Sequence, residues 1–255
     1  MYDAAGDLFG SYIWDINTSA LSGTLGGNFV NNSKETNRKG HLDYLHTIKT
    51  VPGSTLVLSG GEDGQVGIWD GNQETLVEMI QDPSTIKKMN TQFKSNGTLI
   101  PSSQHASARW VSSIAVDEQG NWAAFGGGIE HETATRMSST RGGVRDTAGN
   151  GFVSILNLHA RMMSSCYSTR ESINSVAYYG NEGTILSVGN EGVVSSWKKN
   201  VDVGKIGRTW LSAPSYYSIA VCPNGKTVAL GGVDSSLDCL TSGLAAKSFS
   251  LNFGY

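Results

Sequence analysis
The chain has 255 residues, 38% of them hydrophobic and 16% charged, which supports a buried core and excludes wholesale disorder. A formal charge of −3 and an isoelectric point near 5.9 exclude the basic footprint of a dedicated nucleic-acid binder. With 32 glycines against 5 prolines, the composition calls for many tight turns in regular β structure.

In chain order, Met1–Leu25 reads as a partial unit whose strand pattern ends at Trp14-Asp15. Its start has neither the basic stretch nor the apolar run of a secretory signal, and no apolar run in the sequence nears the roughly 20 residues of a membrane helix. Residues 23–39 (GTLGGNFVNNSKETNRK) are polar and predict a loop insertion. Gly40–Ile80 is the sharpest unit. It opens on Gly40-His41, continues as the hairpin pattern IKTVPGSTLVLSGG from Ile48, and closes on Gly64-Gln-Val-Gly-Ile-Trp69-Asp70, where Val66 and Ile68 alternate with Gln65 and Gly67. Residues 81–108, rich in Ser, Asn and Gln, predict a second insertion. Arg109–Ser168 contains SIAVDEQGNWAAFGG from Ser113 and then a third polar insertion at 129–150, placed between the middle strands of its unit. Arg170–Leu211 carries SVAYYGNEGTILSVG from Ser175, and Ala213–Phe253 carries SIAVCPNGKTVALGG from Ser218.

These segments repeat one pattern: an apolar run, a turn of Gly, Asn, Pro or Asp, and a second apolar run ending in small residues. That is a β-hairpin. Ser113–Gly127 and Ser218–Gly232 align without gaps and agree at more than half of their positions. A third strand follows, with Trp at 14, 69 and 197 and with Leu156 and Leu240 at the equivalent positions. Leu156, Trp197 and Leu240 are separated by the roughly 40–45 residues of a four-stranded propeller blade. The expected fold is therefore an all-β, WD40-type β-propeller, incomplete at about four and a half of seven blades, forming a single domain over 1–255.

The Gly40–Asp70 segment resembles a WD40 repeat. The resemblance implies that His41, Ser59, Asp63 and Trp69 form a buried hydrogen-bonded tetrad. The chemistry suits it: the indole N–H is donor-only, and a hydroxyl can link it to an imidazole held by a carboxylate. The same residues make a Ser/His/Asp set. A nucleophile needs exposure and an oxyanion pocket, however, and no G-x-S-x-G elbow occurs, so the structural role is expected. In the other units Glu191 stands where Asp63 stands, and Leu156 and Leu240 replace Trp. Those units are expected to rely on apolar packing. Gly225-Lys-Thr227 is not a phosphate loop, because Ala220 stands where that loop needs glycine. The three cysteines have no zinc spacing and read as reduced core thiols. No catalytic residue, metal ligand or cofactor is assigned.

The order of segments further resembles the THO complex subunit six family. The resemblance rests on Gly40-His-Leu-Asp-Tyr-Leu-His46, on Leu58-Ser-Gly-Gly-Glu-Asp-Gly-Gln-Val66, on Arg109-Trp110 leading to Phe125-Gly-Gly-Gly128, and on Lys247-Ser-Phe-Ser-Leu-Asn-Phe253. It covers the chain from Tyr2 onward and matches only the later blades of a full member, which would make this chain N-terminally truncated. It implies a non-catalytic scaffold subunit of a nuclear THO/TREX-like complex that couples transcription to mRNA processing and export. The implied partners are other THO subunits, with RNA reached only indirectly, no membrane contact, and higher-order assembly through the complex. Arg109, Trp110, Trp122 and Trp210 are candidate interface residues, since Trp and Arg often anchor interfaces; core packing is the alternative for each Trp. A competing role, substrate receptor of a cullin-type ubiquitin ligase, usually brings Arg two residues after the Trp-Asp pair. Here Asn72 and Asn17 stand there. Direct RNA binding by the mildly basic 23–39 and 81–108 loops is a third reading, weaker because such loops are usually just solvated.

Overall fold
In the computed structural model of the chain, the described residues are 2–3, 11–26, 40–41, 43–81, 109–129, 150–180, 183–198, 205–211, 213–223, 225–233, 235–241 and 246–252. They form antiparallel strands, and none is helical. Sheet one contains β1 (Tyr2–Asp3), β2 (Ser11–Asp15) and β3 (Ala20–Leu25). Sheet two contains β4 (Leu45–Thr50), β5 (Leu56–Gly61), β6 (Gln65–Asp70) and β7 (Thr75–Gln81). Sheet three contains β8 (Arg109–Val116), β9 (Trp122–Ile129), β10 (Gly151–Asn157) and β11 (Met162–Thr169). Sheet four contains β12 (Ile173–Tyr179), β13 (Thr184–Gly189), β14 (Val193–Lys198) and β15 (Lys205–Trp210). Sheet five contains β16 (Tyr216–Val221), β17 (Thr227–Gly232), β18 (Ser236–Thr241) and β19 (Ala246–Asn252). Within each sheet every strand pairs with its neighbours in sequence, as short hairpin turns dictate. The β8–β9 turn shows why its sequence is EQGN. Gly120 takes φ +70°, and Asp117 Oδ1 accepts the amides of Asn121 and Trp122 at 2.7 and 3.0 Å. Gly225 makes the matching turn in sheet five, with φ +65° and its amide on the Cys222 carbonyl.

The sheets stack in chain order, each buried on the next by one apolar cluster. Leu25 meets Val57 and Trp69 between sheets one and two. Leu58, Val66 and Ile68 meet Val111, Phe125 and Phe152 between sheets two and three. Val153 and Ile155 meet Val176, Ile185 and Trp197 between sheets three and four. Leu186, Val188 and Val194 meet Tyr216, Val228 and Leu230 between sheets four and five. The period-2 alternation of a strand divides the residues between faces: Val57 points back and Leu58 forward, Ile185 back and Leu186 forward. Each fully buried Val, Leu or Phe contributes about 1.5–3 kcal/mol by removing its surface from water.

Two bulges recur. In the first strand of sheets two to five the register slips at one residue: His46, Ser112, Asn174 and Tyr217. Two of the freed side chains reach the next sheet. Ser112 Oγ donates to the Ile173 carbonyl at 2.6 Å, and Asn174 Nδ2 donates to the Tyr216 carbonyl at 2.9 Å. The second bulge lies in the pairing of the last two strands, just before Trp14, Trp69, Leu156, Trp197 and Leu240 in sheets one to five. It marks these five residues as structural equivalents.

The insertion boundaries shift by a few residues. Gly23–Leu25 are strand residues of β3, Gln81 closes β7, and Ile129 closes β9 with its amide on the Asn150 carbonyl at 2.8 Å. The third insertion does separate β9 from β10, the two middle strands of sheet three. The remainder of the expected loops, 27–39, 82–108 and 130–149, lies outside the described residues.

Candidate functional site
The polar centre of the molecule lies on the face of sheet two that meets sheet one. His41 precedes β4, Ser59 is on β5, Asp63 is in the β5–β6 turn and Trp69 is on β6. His41 Nδ1 lies 3.0 Å from each Asp63 carboxylate oxygen, and His41 Nε2 lies 2.7 Å from Ser59 Oγ. The Trp69 indole N–H donates to the same Ser59 Oγ at 2.7 Å. One proton arrangement satisfies all of these contacts with a neutral imidazole: Trp69 donates to Ser59, Ser59 to His41 Nε2, and His41 Nδ1–H to Asp63. Asp63 Oδ1 also accepts the Gln65 amide at 3.1 Å, which ties the network to the turn. The His41 side chain is fully enclosed and that of Asp63 is 6% exposed.

Glycines make the room. A Cβ on Gly67 would lie 2.7 Å from both Ser59 Oγ and Trp69 Nε1 and 3.1 Å from His41 Nε2. Gly40 adopts φ +133° with Trp69 Cη2 only 3.1 Å from where its Cβ would be. Ser59 is 1% exposed and its hydroxyl is engaged on both sides. Its oxygen lies under an indole, where a substrate carbonyl does not reach it.

The equivalent positions differ from sheet to sheet. In sheet three, Phe125 and Leu156 replace Ser59 and Trp69, both buried, with Phe125 edge-on to Phe152. In sheet four, half of the network survives: the Trp197 indole donates to Ser187 Oγ at 2.8 Å, with Tyr167 stacked on the indole at 5.5 Å. The expectation of purely apolar packing is corrected there. In sheet five, Leu230 and Leu240 replace Ser59 and Trp69. Asp238, fully buried on β18 opposite Leu230, accepts a hydrogen bond from the Tyr216 hydroxyl, whose oxygen accepts the Ala213 amide at 3.0 Å. This second polar lock was not anticipated. The signal for it was an Asp at an inward-facing register position in SLDCL.

The interface candidates have mixed placements. Trp110 is half-buried against Gly128, where a Cβ would lie 1.9 Å from the Trp110 ring. Trp122 packs on the cluster between sheets three and four. The Arg109 guanidinium sits 5.3 Å from the centroid of the Phe152 ring, a cation–π arrangement. Trp210 ends β15 opposite Val193, and its side chain lies outside the described residues. Trp14, which was not among the candidates, is 42% exposed. Two of the three cysteines are also not core residues: Cys166 and Cys222 are exposed and Cys239 is buried. Burial, then the nearby Asp117 charge, raises the Tyr178 hydroxyl above its ordinary value of 10.0, and that hydroxyl has no hydrogen-bond partner among the described residues. The described residues contain no group of three His, Cys, Asp or Glu placed to hold a metal, and no helix long and apolar enough to cross a membrane.

Residues 33–70, which include all four members of the network, match the family model described as WD domain, G-beta repeat. The chain folds as a WD40-type β-propeller. Among curated proteins, this propeller is similar to THO complex subunit 6 of Homo sapiens, at 24% identity over 84% of this chain and 52% of that protein. It is similar to THO complex subunit 6 of Arabidopsis thaliana at 25% identity over 94% of this chain and 49% of that protein. The Danio rerio homologue of THO complex subunit 6 is 32% identical over 90 residues. The chain spans about half the length of the human and Arabidopsis relatives. In three dimensions it matches a chain of a structure titled Crystal Structure of Mitotic Checkpoint Complex, with a TM-score of 0.65 and 13% identity, covering 98% of this chain and 60% of that one. At that identity the likeness is one of fold alone.

Proposed function
We propose that this WD40 propeller is a non-catalytic scaffold subunit of a nuclear THO-like complex, serving the coupling of transcription to mRNA processing and export. The observation that carries the reading is the colinear similarity to THO complex subunit 6 from plant and animal, over 94% and 84% of the chain. The site supports it. The His41–Ser59–Asp63 set is sealed under Trp69 and acts as internal glue, which leaves strand edges, loops and rim side chains such as Arg109 to meet partners. RNA is then reached through the assembled complex rather than by a basic groove, in keeping with the net charge of −3. The test is affinity purification of the tagged chain from its native nuclei, followed by identification of co-purifying proteins. THO subunits in stoichiometric amounts are the expected result. Cullin adaptors in their place would overturn it.

A further inference from the structure
We propose that His46 is a pH-sensitive hook between sheets two and three: charged, it is held on Glu62 of its own sheet, and neutral, it turns to the Val111 carbonyl of sheet three. The bulge that recurs in the first strands carries this. Ser112, the bulge residue of sheet three, donates to the Ile173 carbonyl at 2.6 Å, and Asn174, the bulge residue of sheet four, donates to the Tyr216 carbonyl at 2.9 Å. Both acceptors hold one register position, the residue just before the bulge of the following sheet's first strand. In sheet two the bulge residue is His46, and the residue at the acceptor position of sheet three is Val111. The hook that the repeat calls for at this junction therefore runs from His46 to Val111.

In the structure the ring is turned the other way. His46 Nε2 lies 3.3 Å from Glu62 Oε1, and Glu62 is fixed by its amide on the Tyr44 carbonyl at 2.8 Å. Neither reach nor space prevents the other position. Imidazole Nδ1 stands as many bonds from Cα as the Nδ2 with which Asn174 makes its hook, and the His46 and Glu62 side chains are 35% and 44% exposed, so the ring has room to rotate. The charge decides between the two positions. An imidazolium is drawn to the carboxylate. A neutral imidazole loses that attraction and keeps one N–H, which on Nδ1 makes it the same donor as the Asn174 amide. Imidazoles gain and lose this charge between about pH 5 and 8. The other charged or titratable groups nearby, among the described residues, have places of their own. Asp63 is bound to His41, and Asp43 accepts the Tyr44 amide at 2.9 Å. Tyr44 is exposed ahead of β4, and Lys49 lies toward its far end. β8 packs on both β4 and β5; β5 brings no titratable side chain, and β8 brings only Arg109, whose guanidinium lies 5.3 Å from the Phe152 ring centroid.

Nuclear magnetic resonance of the full chain across that pH range reads the switch. Long-range nitrogen–proton correlations of the imidazole, with the His46 ring assigned through its own Cβ, report which ring nitrogen carries the proton, and the Val111 carbonyl-carbon resonance reports whether that oxygen gains a donor. At the acid end both His46 nitrogens are expected to be protonated. At the alkaline end the expected tautomer is Nδ1–H, with the Val111 resonance displaced from its acid position. Glu62→Gln removes the carboxylate that holds the ring back and is expected to abolish most of that displacement. His46→Asn places the hook of sheet four in sheet two and is expected to hold the Val111 resonance constant throughout. An Nε2–H tautomer at the alkaline end, or a Val111 resonance that does not move in the wild type, would overturn the proposal, and both are read without any substitution. A displacement that persists undiminished in Glu62→Gln or in His46→Asn, in a variant that keeps the wild-type β circular-dichroism signal, overturns it as well.

Discussion
At the scale of single residues, the buried network in sheet two turns on Ser59, which links a donor-only indole to an imidazole. Ser59→Ala removes one oxygen and strands two groups, the Trp69 N–H and His41 Nε2. Each buried group left unpaired costs about 1–3 kcal/mol, so equilibrium denaturation should show at least that loss with an unchanged slope against denaturant. A loss below 0.5 kcal/mol, the foot of the range for one hydrogen bond, would mean that the indole and imidazole find other partners. Tyr178 makes the opposite case. Its hydroxyl is buried without a partner, and its ionisation is pushed above 10.0 by burial and by Asp117. A raised value means that the neutral form is favoured in the folded state. That stability is full below pH 10 and drains away as pH climbs from there toward the raised folded value. Tyr178→Phe should therefore leave neutral-pH stability unchanged or improved and flatten its alkaline decline, as thermal melts across that pH range would show. His41, Ser59, Asp63 and Trp69 were legible in the sequence because a Gly-His pair, a strand serine, a turn aspartate and a Trp-Asp pair recur at recognisable places. Asp238 with Tyr216 was not: a lone Asp in an apolar strand declares itself only once register shows which way it points.

At the scale of strands and sheets, the hairpins were readable from the SIAV…GG repeats, because turn glycines and period-2 alternation are local. The bulges were not, since a bulge is a mismatch between two strands and neither strand carries it alone. This matters for Ser112 and Asn174, which read as ordinary polar strand residues and in fact bind the carbonyls of the following sheet. The interface between sheets three and four also needs Gly126, where a Cβ would lie 2.8 Å from Ile173 Cγ2 and 3.1 Å from Val176 Cγ1. Gly126→Ala should cost about 1–3 kcal/mol through overpacking. Gly53→Ala, at a surface turn with nothing within 4 Å, should be felt only through its φ of +68°. Ile173→Ala removes the Cγ2 that clashes, so combined with Gly126→Ala it should cost less than the sum of the two single losses if the clash is the cause, and a double-mutant cycle on denaturation free energies checks it.

At the scale of the whole molecule, four apolar clusters join five sheets in line, and each cluster is made of two consecutive sheets. Stability in such a stack is close to a sum of sheet terms and nearest-neighbour terms. Among the described residues, sheets two, three and four each contribute to two apolar clusters, whereas sheet five contributes to the one around Leu186, Tyr216 and Leu230. Sheet five should therefore open at a lower free energy than the middle of the stack, and hydrogen exchange should resolve it as a separate unit. Leu186→Ala sharpens the test. It leaves a cavity in the cluster that holds sheet five, at a cost of about 2–5 kcal/mol. The amides of β16–β18 should lose protection by that amount, while those of β5 and β6, beyond the reach of the cavity, keep theirs as long as local opening dominates their exchange. Equal loss in both places would mean that the five sheets unfold as one unit, with coupling through the stack stronger than its nearest-neighbour contacts provide.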